Sequence, residues 1–362
     1  MSVASPLSGP ELLELLETSG APQGAGILGA VSGGPDSTVL LHALSLFRQR
    51  VPDLSVTIAT VDHGWRNSSA AEAEAVGVAA RALGLPHHVL THRDPTTAKS
   101  EEAARTVRYA LLTGLAGAVG AGVLMSAHTL DDQAETVWMR LARGSGLAGL
   151  AAMPPVRPLG SLLHVRPFLT VSKARLVATC RANRWPCVLD PANDDPAYCR
   201  THWRRLAPEL ARRGLTAERT ARFSQRCARA DAALDLYADA LEREATLDAG
   251  EDGRVVLNGD ALASAPAETV LRVLIRAAGR AGGKACPRLE RAEACAAAVT
   301  RALADGSGLK RTLSGAVLEL KRGSRRVELY REPQRSRGMR RREPGESDGF
   351  STSSLVKPVG NT

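Results

Sequence analysis

The chain has 362 residues, enough for two or three domains with separate cores, and no apolar run reaches the length of a membrane helix. Its formal charge is +9, and its six cysteines (Cys180, Cys187, Cys199, Cys227, Cys286 and Cys295) show neither a C-x-x-C pair nor a His at zinc-finger spacing. That composition argues against a disulfide frame, a membrane protein and a thiol-held structural metal. With no basic-then-apolar leader at the N-terminus, a reduced, cytoplasmic protein is expected.

The first two hundred residues alternate short apolar runs with amphipathic stretches. This predicts strands over 25–31, 55–61, 87–90 and 122–127, and helices over 37–47, 70–83, 101–119, 131–143 and 171–183. Strands separated by helices of ten or more residues imply right-handed crossovers and a parallel sheet covered on both faces, an α/β fold. From about Pro208 the pattern becomes helical, with helices expected over 219–245, 267–279 and 287–304. Two short alternating runs follow, 310–320 and 326–330, with Gly323-Ser324 as the turn between them. After Glu332 the chain is rich in Arg, Gly, Ser and Pro with little to bury. The expected organisation is a catalytic α/β domain over 1–207, a helical region over 208–285, a small α/β domain over 286–332, and a disordered tail over 333–362.

Ligands of parallel sheets collect beyond the carboxyl ends of the strands, and three polar clusters fall there. The first is Ser32-Gly33-Gly34-Pro35-Asp36-Ser37, between an apolar strand and a helix start. Its glycines let backbone N–H groups close on phosphate oxygens, the helix N-terminus adds partial positive charge, and Ser32 and Ser37 add hydroxyls. Asp36 is a poor phosphate partner, so it is assigned to Mg²⁺. Neither G-x-x-x-x-G-K-S/T nor G-x-G-x-x-G occurs, which disfavours a Walker loop and a dinucleotide site. The bland alternative, a Gly-rich turn capping a helix, is the lesser reading for the full hexapeptide in a strand–loop–helix context. The second cluster is Asp62-His63-Gly64-Trp65-Arg66; taken alone it is no more than a capped loop. The third runs from Ser126 to Thr136 and contains His128, Asp131, Asp132 and Glu135. Asp131 or Asp132 is expected to cap the helix. Glu135 neighbours both, and like charges so placed call for a cation, either Mg²⁺ or a substrate ammonium.

The loop S-G-G-x-D-S is the signature of the PP-loop ATP pyrophosphatases, whose domain is Rossmann-like, of the adenine nucleotide alpha hydrolase kind. Within that superfamily the chain resembles the bacterial tRNA(Ile)-lysidine synthases from about Ile27 to Arg205. The resemblance is carried by Val61-Asp62-His63-Gly64-Trp65-Arg66, by Glu101 to Tyr109 (E-x-x-A-R-x-x-R-Y), and by Ala127 to Thr136 (A-H-x-x-D-D-Q-x-E-T). Arg143-Gly144-Ser145-Gly146 and Arg166-Pro167-Phe168-Leu169 complete it. A final motif, D-x-S-N-x-D ahead of R-N-x-x-R, departs from the family pattern at Ala192 and Thr201. Asp190, Asn193, Asp195, Arg200 and Arg204 are retained.

The resemblance implies an enzyme that uses ATP and Mg²⁺ to adenylate the wobble cytidine of the CAU anticodon of tRNA(Ile), which free lysine then attacks. It implies catalytic roles for Asp36, Arg105, His128, Asp132 and Glu135, with Arg105 clamping phosphate and His128 in support. It places ATP on Ser32, Gly33, Gly34, Pro35, Asp36, Ser37, His63 and Arg105, and lysine on Asp132 and Glu135.

The arginines between Arg200 and Arg229 read alone as a solvated helix face. Beside the resemblance they become candidates for tRNA phosphates, and Arg200, Arg204, Arg205, Arg222 and Arg226 are assigned that role. Two rivals remain. A tRNA cytidine thiolase typically needs C-x-x-C cysteines, which are lacking. A non-catalytic RNA-binding protein on a decayed nucleotide fold is at odds with an intact Asp36, Asp132 and Glu135. The sequence leaves an oligomer open.

Overall fold

The computed structural model describes residues 4–62, 69–92, 101–188, 199–284 and 288–333. His63, Trp65, Arg66, the Asp190–Asp195 stretch, Cys286, Pro287 and the tail from residue 334 lie outside the described residues, as do the side chains of Glu101 and Arg200.

The N-terminal half runs α1 (Gly9–Glu17), β1 (Gly26–Ala30), α2 (Pro35–Arg50), β2 (Val56–Asp62), α3 (Ser69–Ala82), β3 (His87–Thr91), α4 (Glu101–Ala118), β4 (Ala121–Ser126) and α5 (Leu130–Ala142). It continues through α6 (Leu147–Leu150), β5 (Val156–Leu159), β6 (Leu162–Val165), α7 (Lys173–Asn183), α8 (Cys199–Arg212) and the long α9 (Ala217–Ala245). Six strands form one sheet in the order β3-β2-β1-β4-β6-β5. All neighbours are parallel except the β5–β6 hairpin at the edge.

Successive residues of the central strands feed two cores, as the two-residue period of a strand requires. Ile27, Ile58, Val123 and Met125 pack on one face with Leu12 and Leu16 of α1, Leu40, Leu41 and Leu44 of α2, Val76 of α3 and Leu176 of α7. Leu28, Ala59 and Leu124 face the other way, onto Leu112 and Ala116 of α4. Local signals set the helix starts. Ser8 and Glu11 form a reciprocal capping box at α1, and Thr129 and Asp132 form another at α5.

The remaining elements are β7 (Thr246–Ala249), β8 (Val255–Asn258), α10 (Gly259–Ser264), α11 (Ala267–Gly282), α12 (Leu289–Asp305), β9 (Leu309–Leu313), β10 (Ala316–Leu320) and β11 (Arg326–Arg331). Their five strands make an antiparallel sheet in the order β7-β8-β11-β10-β9. The helix α12 buries Ala292, Cys295, Ala296, Val299, Ala302 and Leu303, a helical stripe that ends at Gly306 in the left-handed conformation. The chain divides into two compact units: one holds everything up to Glu242 together with Glu268–Arg272, the other Arg243–Ala267 and the chain from Val273 onward.

The structure differs from the sequence reading in three places. The expected single run over 310–320 is a hairpin, because Ser314 and Gly315 both take positive φ and turn the chain back on itself. The hairpin of β5 and β6, with strands of four residues each, adds an antiparallel edge to a sheet expected to be parallel. Thr129, not Asp131 or Asp132, caps α5, and Asp132 closes the box from the third helical position.

Candidate active site

A cleft of about 300 Å³ opens beyond the carboxyl ends of β1, β2 and β4. The loop from Ser32 to Ser37 forms one wall. Gly33 takes φ +85°, a conformation costly for any residue with a Cβ, and an added Cβ there would also press on Val76 at 3.2 Å. Its carbonyl accepts the Val188 N–H at 2.8 Å, which ties the loop to the chain beyond α7. Gly34 is the N-cap of α2 and Pro35 follows it, so the first N–H groups of the helix face the loop. The Ser37 hydroxyl accepts the Ser32 N–H at 3.2 Å and lies 3.3 Å from the Ser32 hydroxyl. These bonds hold the loop in its turn with the N-terminus of α2 open to an anion.

Asp36 stands in the first turn of α2 among charged neighbours. The Lys173 ammonium is 3.7 Å from its Oδ2, and its Oδ1 is buried with no hydrogen-bond partner among the described residues. Burial pushes its pKa up to about 6; Lys173 opposes the rise, and Asp132 and Asp131 add to it. A half-satisfied carboxylate beside a phosphate-type loop suits Mg²⁺. Among the described residues no three His, Cys, Asp or Glu side chains gather as a metal site. Asp36, together with nucleotide oxygens, fits such an ion.

The acidic side chains of α5 divide their work. Asp131 accepts the backbone N–H of Lys173 at 2.7 Å, so it caps α7 and thereby places the Lys173 side chain beside Asp36. Asp132 and Glu135 share one guanidinium: Arg204 of α8 donates from Nε to Glu135 at 2.7 Å, and its Nη2 lies 3.6 Å from Asp132. Between them, Gln133 points away and pins Met153 through both ends of its amide, at 2.8 and 2.9 Å.

A polar row runs inward from the cleft, half-buried at Ser126 and His128 and fully buried at His164 and Arg166. Ser126 Oγ, at the end of β4, lies 2.8 Å from His128 Nδ1 and 2.7 Å from His164 Nε2. Arg166 reaches His164 Nδ1 at 3.0 Å and the Pro154 carbonyl at 2.7 Å. On α4, Arg108 and Tyr109 line the cleft. Arg105 lies half-buried over the Tyr109 ring, 5.0 Å from its centre.

The structure thus brings Ser32, Gly34, Pro35, Asp36, Ser37, His128, Asp132 and Arg204 into one lining. Glu135 lies behind it through Arg204. Arg205, Arg222 and Arg226 are exposed on α8 and α9, away from the buried Ala221, Ser224 and Cys227. Lys173, Ser126, His164 and Arg108 were not singled out in the sequence. Arg108 belongs to the motif that contains Arg105, three residues on and so on the same helix face. Ser126 is two residues before His128, on the strand end itself. Lys173 and His164 had no local signal, because only the packing of α7 and β6 brings them to the cleft.

A strand–loop–helix that presents an anion site, set beside a half-satisfied carboxylate at the switch of a mostly parallel sheet, defines an α/β nucleotide-binding protein of the PP-loop class. The PP-loop domain family matches residues 10–210. A tRNA(Ile)-lysidine synthase of Methylobacterium nodulans is 48% identical over 340 residues, covering 92% of this chain and 99% of the relative. Another, from Rhodopseudomonas palustris, is 44% identical over 319 residues, covering 85% and 91%. Among solved structures, a U34-tRNA thiolase from Methanococcus maripaludis superposes with a TM-score of 0.51 at 15% identity, covering 60% of this chain and 77% of that one, a likeness of fold. The chain belongs to the tRNA(Ile)-lysidine synthase family of ATP-dependent ligases.

Proposed function

We propose that the protein ligates free lysine to C2 of the wobble cytidine in the CAU anticodon of tRNA(Ile), through an adenylated tRNA, with ATP giving AMP and pyrophosphate. The observation that carries this reading is that one cleft joins an anion loop to Asp132, with Glu135 behind it across Arg204, an acidic pair that answers a cation. The two halves match the two steps.

In the first step the loop N–H groups and the start of α2 hold the ATP phosphates while the cytidine C2 oxygen attacks the α-phosphate. Lys173 and Arg108 supply positive charge from opposite walls as charge builds on pyrophosphate. Mg²⁺, held by Asp36 and phosphate oxygens, would add to that charge stabilisation. In the second step AMP leaves C2 far more readily than oxide would. The lysine ammonium reaches Asp132 and Glu135, where it displaces Arg204; a carboxylate of the pair takes its proton, and the free amine attacks C2 as the C2–O bond to AMP breaks. Exposed arginines of α8 and α9 hold the tRNA backbone, and the work is cytoplasmic. Among the described residues no helix is long and apolar enough to cross a membrane.

The test is incubation of the protein with labelled lysine, Mg-ATP and a tRNA(Ile) transcript bearing CAU. Label enters the transcript, with AMP formed in equal amount. AMP forming without lysine entering the RNA overturns the reading, as does equal labelling of a methionine tRNA.

A further inference from the structure

The row Arg166–His164–Ser126–His128 has a direction, and the direction is fixed at its buried end. A guanidinium only donates, so His164 Nδ1, 3.0 Å from Arg166 Nη2, must accept. Arg157 Nε approaches the same nitrogen at 3.5 Å from a second side. His164 therefore carries its single proton on Nε2 and donates it to Ser126 Oγ at 2.7 Å. Ser126 Oγ has a second lone pair and one proton of its own to place; directing that proton to His128 Nδ1 at 2.8 Å makes the row one continuous chain of donors. In that arrangement His128 Nδ1 accepts and the His128 proton sits on Nε2.

Charge and burial agree with this assignment. His164 is fully buried, and burial together with Arg166, His128 and Arg157 pushes its pKa down to about 2. Burial lowers Arg166 to about 10, so it stays a cation near neutral pH. No proton is available to reverse the row from the Arg166 end. The sequence motif Arg166-Pro167-Phe168-Leu169 thereby gains a polar task beside its packing one, since Phe168 is fully buried in the core.

We propose that Ser126, His164 and Arg166 are positioning residues that hold His128 as a neutral imidazole with its proton on Nε2, so that His128 serves the reaction as a hydrogen-bond donor and not as a base. The proposal rests on the lysidine-forming reading of the same cleft, where oxygens of the phosphates and of the adenylated base are the acceptors at hand. Another group must then accept the proton shed by the lysine amine.

Nitrogen-15 NMR of the full chain labelled at histidine tests the tautomer without substrates, with the His128 signals assigned by their loss in His128→Gln. The expected result is an unprotonated Nδ1 and a protonated Nε2 at His128, collapsing to a tautomer mixture in Ser126→Ala and persisting in Ser126→Thr. Adenylation of the tRNA at saturating ATP should fall about 10–100-fold in Ser126→Ala with KM for ATP little changed. His164→Gln, whose amide both accepts and donates, should retain the tautomer and most of the rate, whereas His164→Leu should lose both. A proton on Nδ1 of His128 in the wild type overturns the proposal, and so does an unchanged tautomer in Ser126→Ala. If the tautomers behave as expected but no lysine enters the tRNA, the relay stands and the functional reading fails.

Discussion

The Arg204 guanidinium donates to the Glu135 carboxylate at 2.7 Å, and the Glu135 side chain is only 6% exposed. A buried carboxylate is stable only while a cation answers it, and removing one partner of such a pair typically costs about 3–5 kcal/mol. Arg204→Ala should therefore lower the thermal midpoint sharply. If Asp132 and Glu135 are the lysine site, free lysine should restore part of that midpoint in Arg204→Ala and raise it less in the wild type. Thermal melts of both proteins over a lysine titration decide this. Equal lysine effects in the two would show that Arg204 and the ammonium do not share the pair.

Asp36 offers a test in which stability and activity move in opposite directions. Its pKa near 6 in the fold, against 3.8 as the ordinary value, means the folded state disfavours the ionised form. The resulting penalty is absent below about pH 4, grows as pH rises between the two values, and is complete above about pH 6. A rise of that size corresponds to roughly 2–3 kcal/mol. Asp36→Asn should thus melt higher than the wild type at pH 7.5, by several degrees, with the gain vanishing at pH 4. The same variant should fail to form adenylated tRNA. A lower midpoint at pH 7.5 would contradict the strained carboxylate.

The loop and the acidic motif were legible in the sequence because each is contiguous. A glycine at positive φ, a proline at a helix start and carboxylates on one helical turn are local facts. Arg204 was legible as a basic residue but not as the partner of Glu135, since 69 residues separate them. The four-residue strands of β5 and β6 gave too short an alternation to register, and with them His164 went unseen. The same limit applied to Asp131: its spacing to Glu135 suggested a shared cation, but it accepts the N–H of Lys173, 42 residues away.

Gln133 lies inside the acidic motif and has a structural role. Its amide meets the N–H and the carbonyl of Met153, and both residues are buried. Gln133→Leu fills the space but strands both backbone groups, at about 1–3 kcal/mol each. A urea midpoint lowered without a change in slope, together with lysine and ATP KM values close to wild type, is the expected pattern. A KM effect at full stability would instead place Gln133 against the substrate.

A comparable pin holds the helices of the first unit. Arg272 meets Asp231 at 2.7 Å, Asp235 at 2.8 Å and Glu268 at 2.9 Å, with its own side chain 12% exposed. Two of the three carboxylates are half-open to water, so solvent screens part of the attraction and the loss on Arg272→Ala is set near the low end, about 2 kcal/mol. Arg272→Met, of similar length and apolar, should recover little, because the three carboxylates would still face one another. Near-wild-type stability in Arg272→Met would show that packing along the side-chain stem outweighs the ion pairs.

On α9 the exposed Arg222 and Arg226 lie one helical turn apart, with Arg219 and Arg229 extending the same row. The opposite side of this stretch is buried through Ala221, Ser224 and Cys227, while Arg219 also donates to the Gly214 carbonyl at 3.1 Å. Like charges in such a row repel, and a phosphate backbone is the partner that would turn repulsion into binding. Removing one arginine–phosphate pair should flatten the slope of log affinity against log salt by about 0.7–0.9, giving roughly 1.5 for Arg222→Ala with Arg226→Ala. Filter binding of the tRNA(Ile) transcript between 50 and 200 mM salt, about the range over which phosphate binding weakens, measures that slope. Contacts to phosphates and not to bases carry no sequence information, so on this assignment the double variant should weaken tRNA(Ile) and a methionine tRNA alike. An unchanged slope would move the tRNA interface off this face of α9.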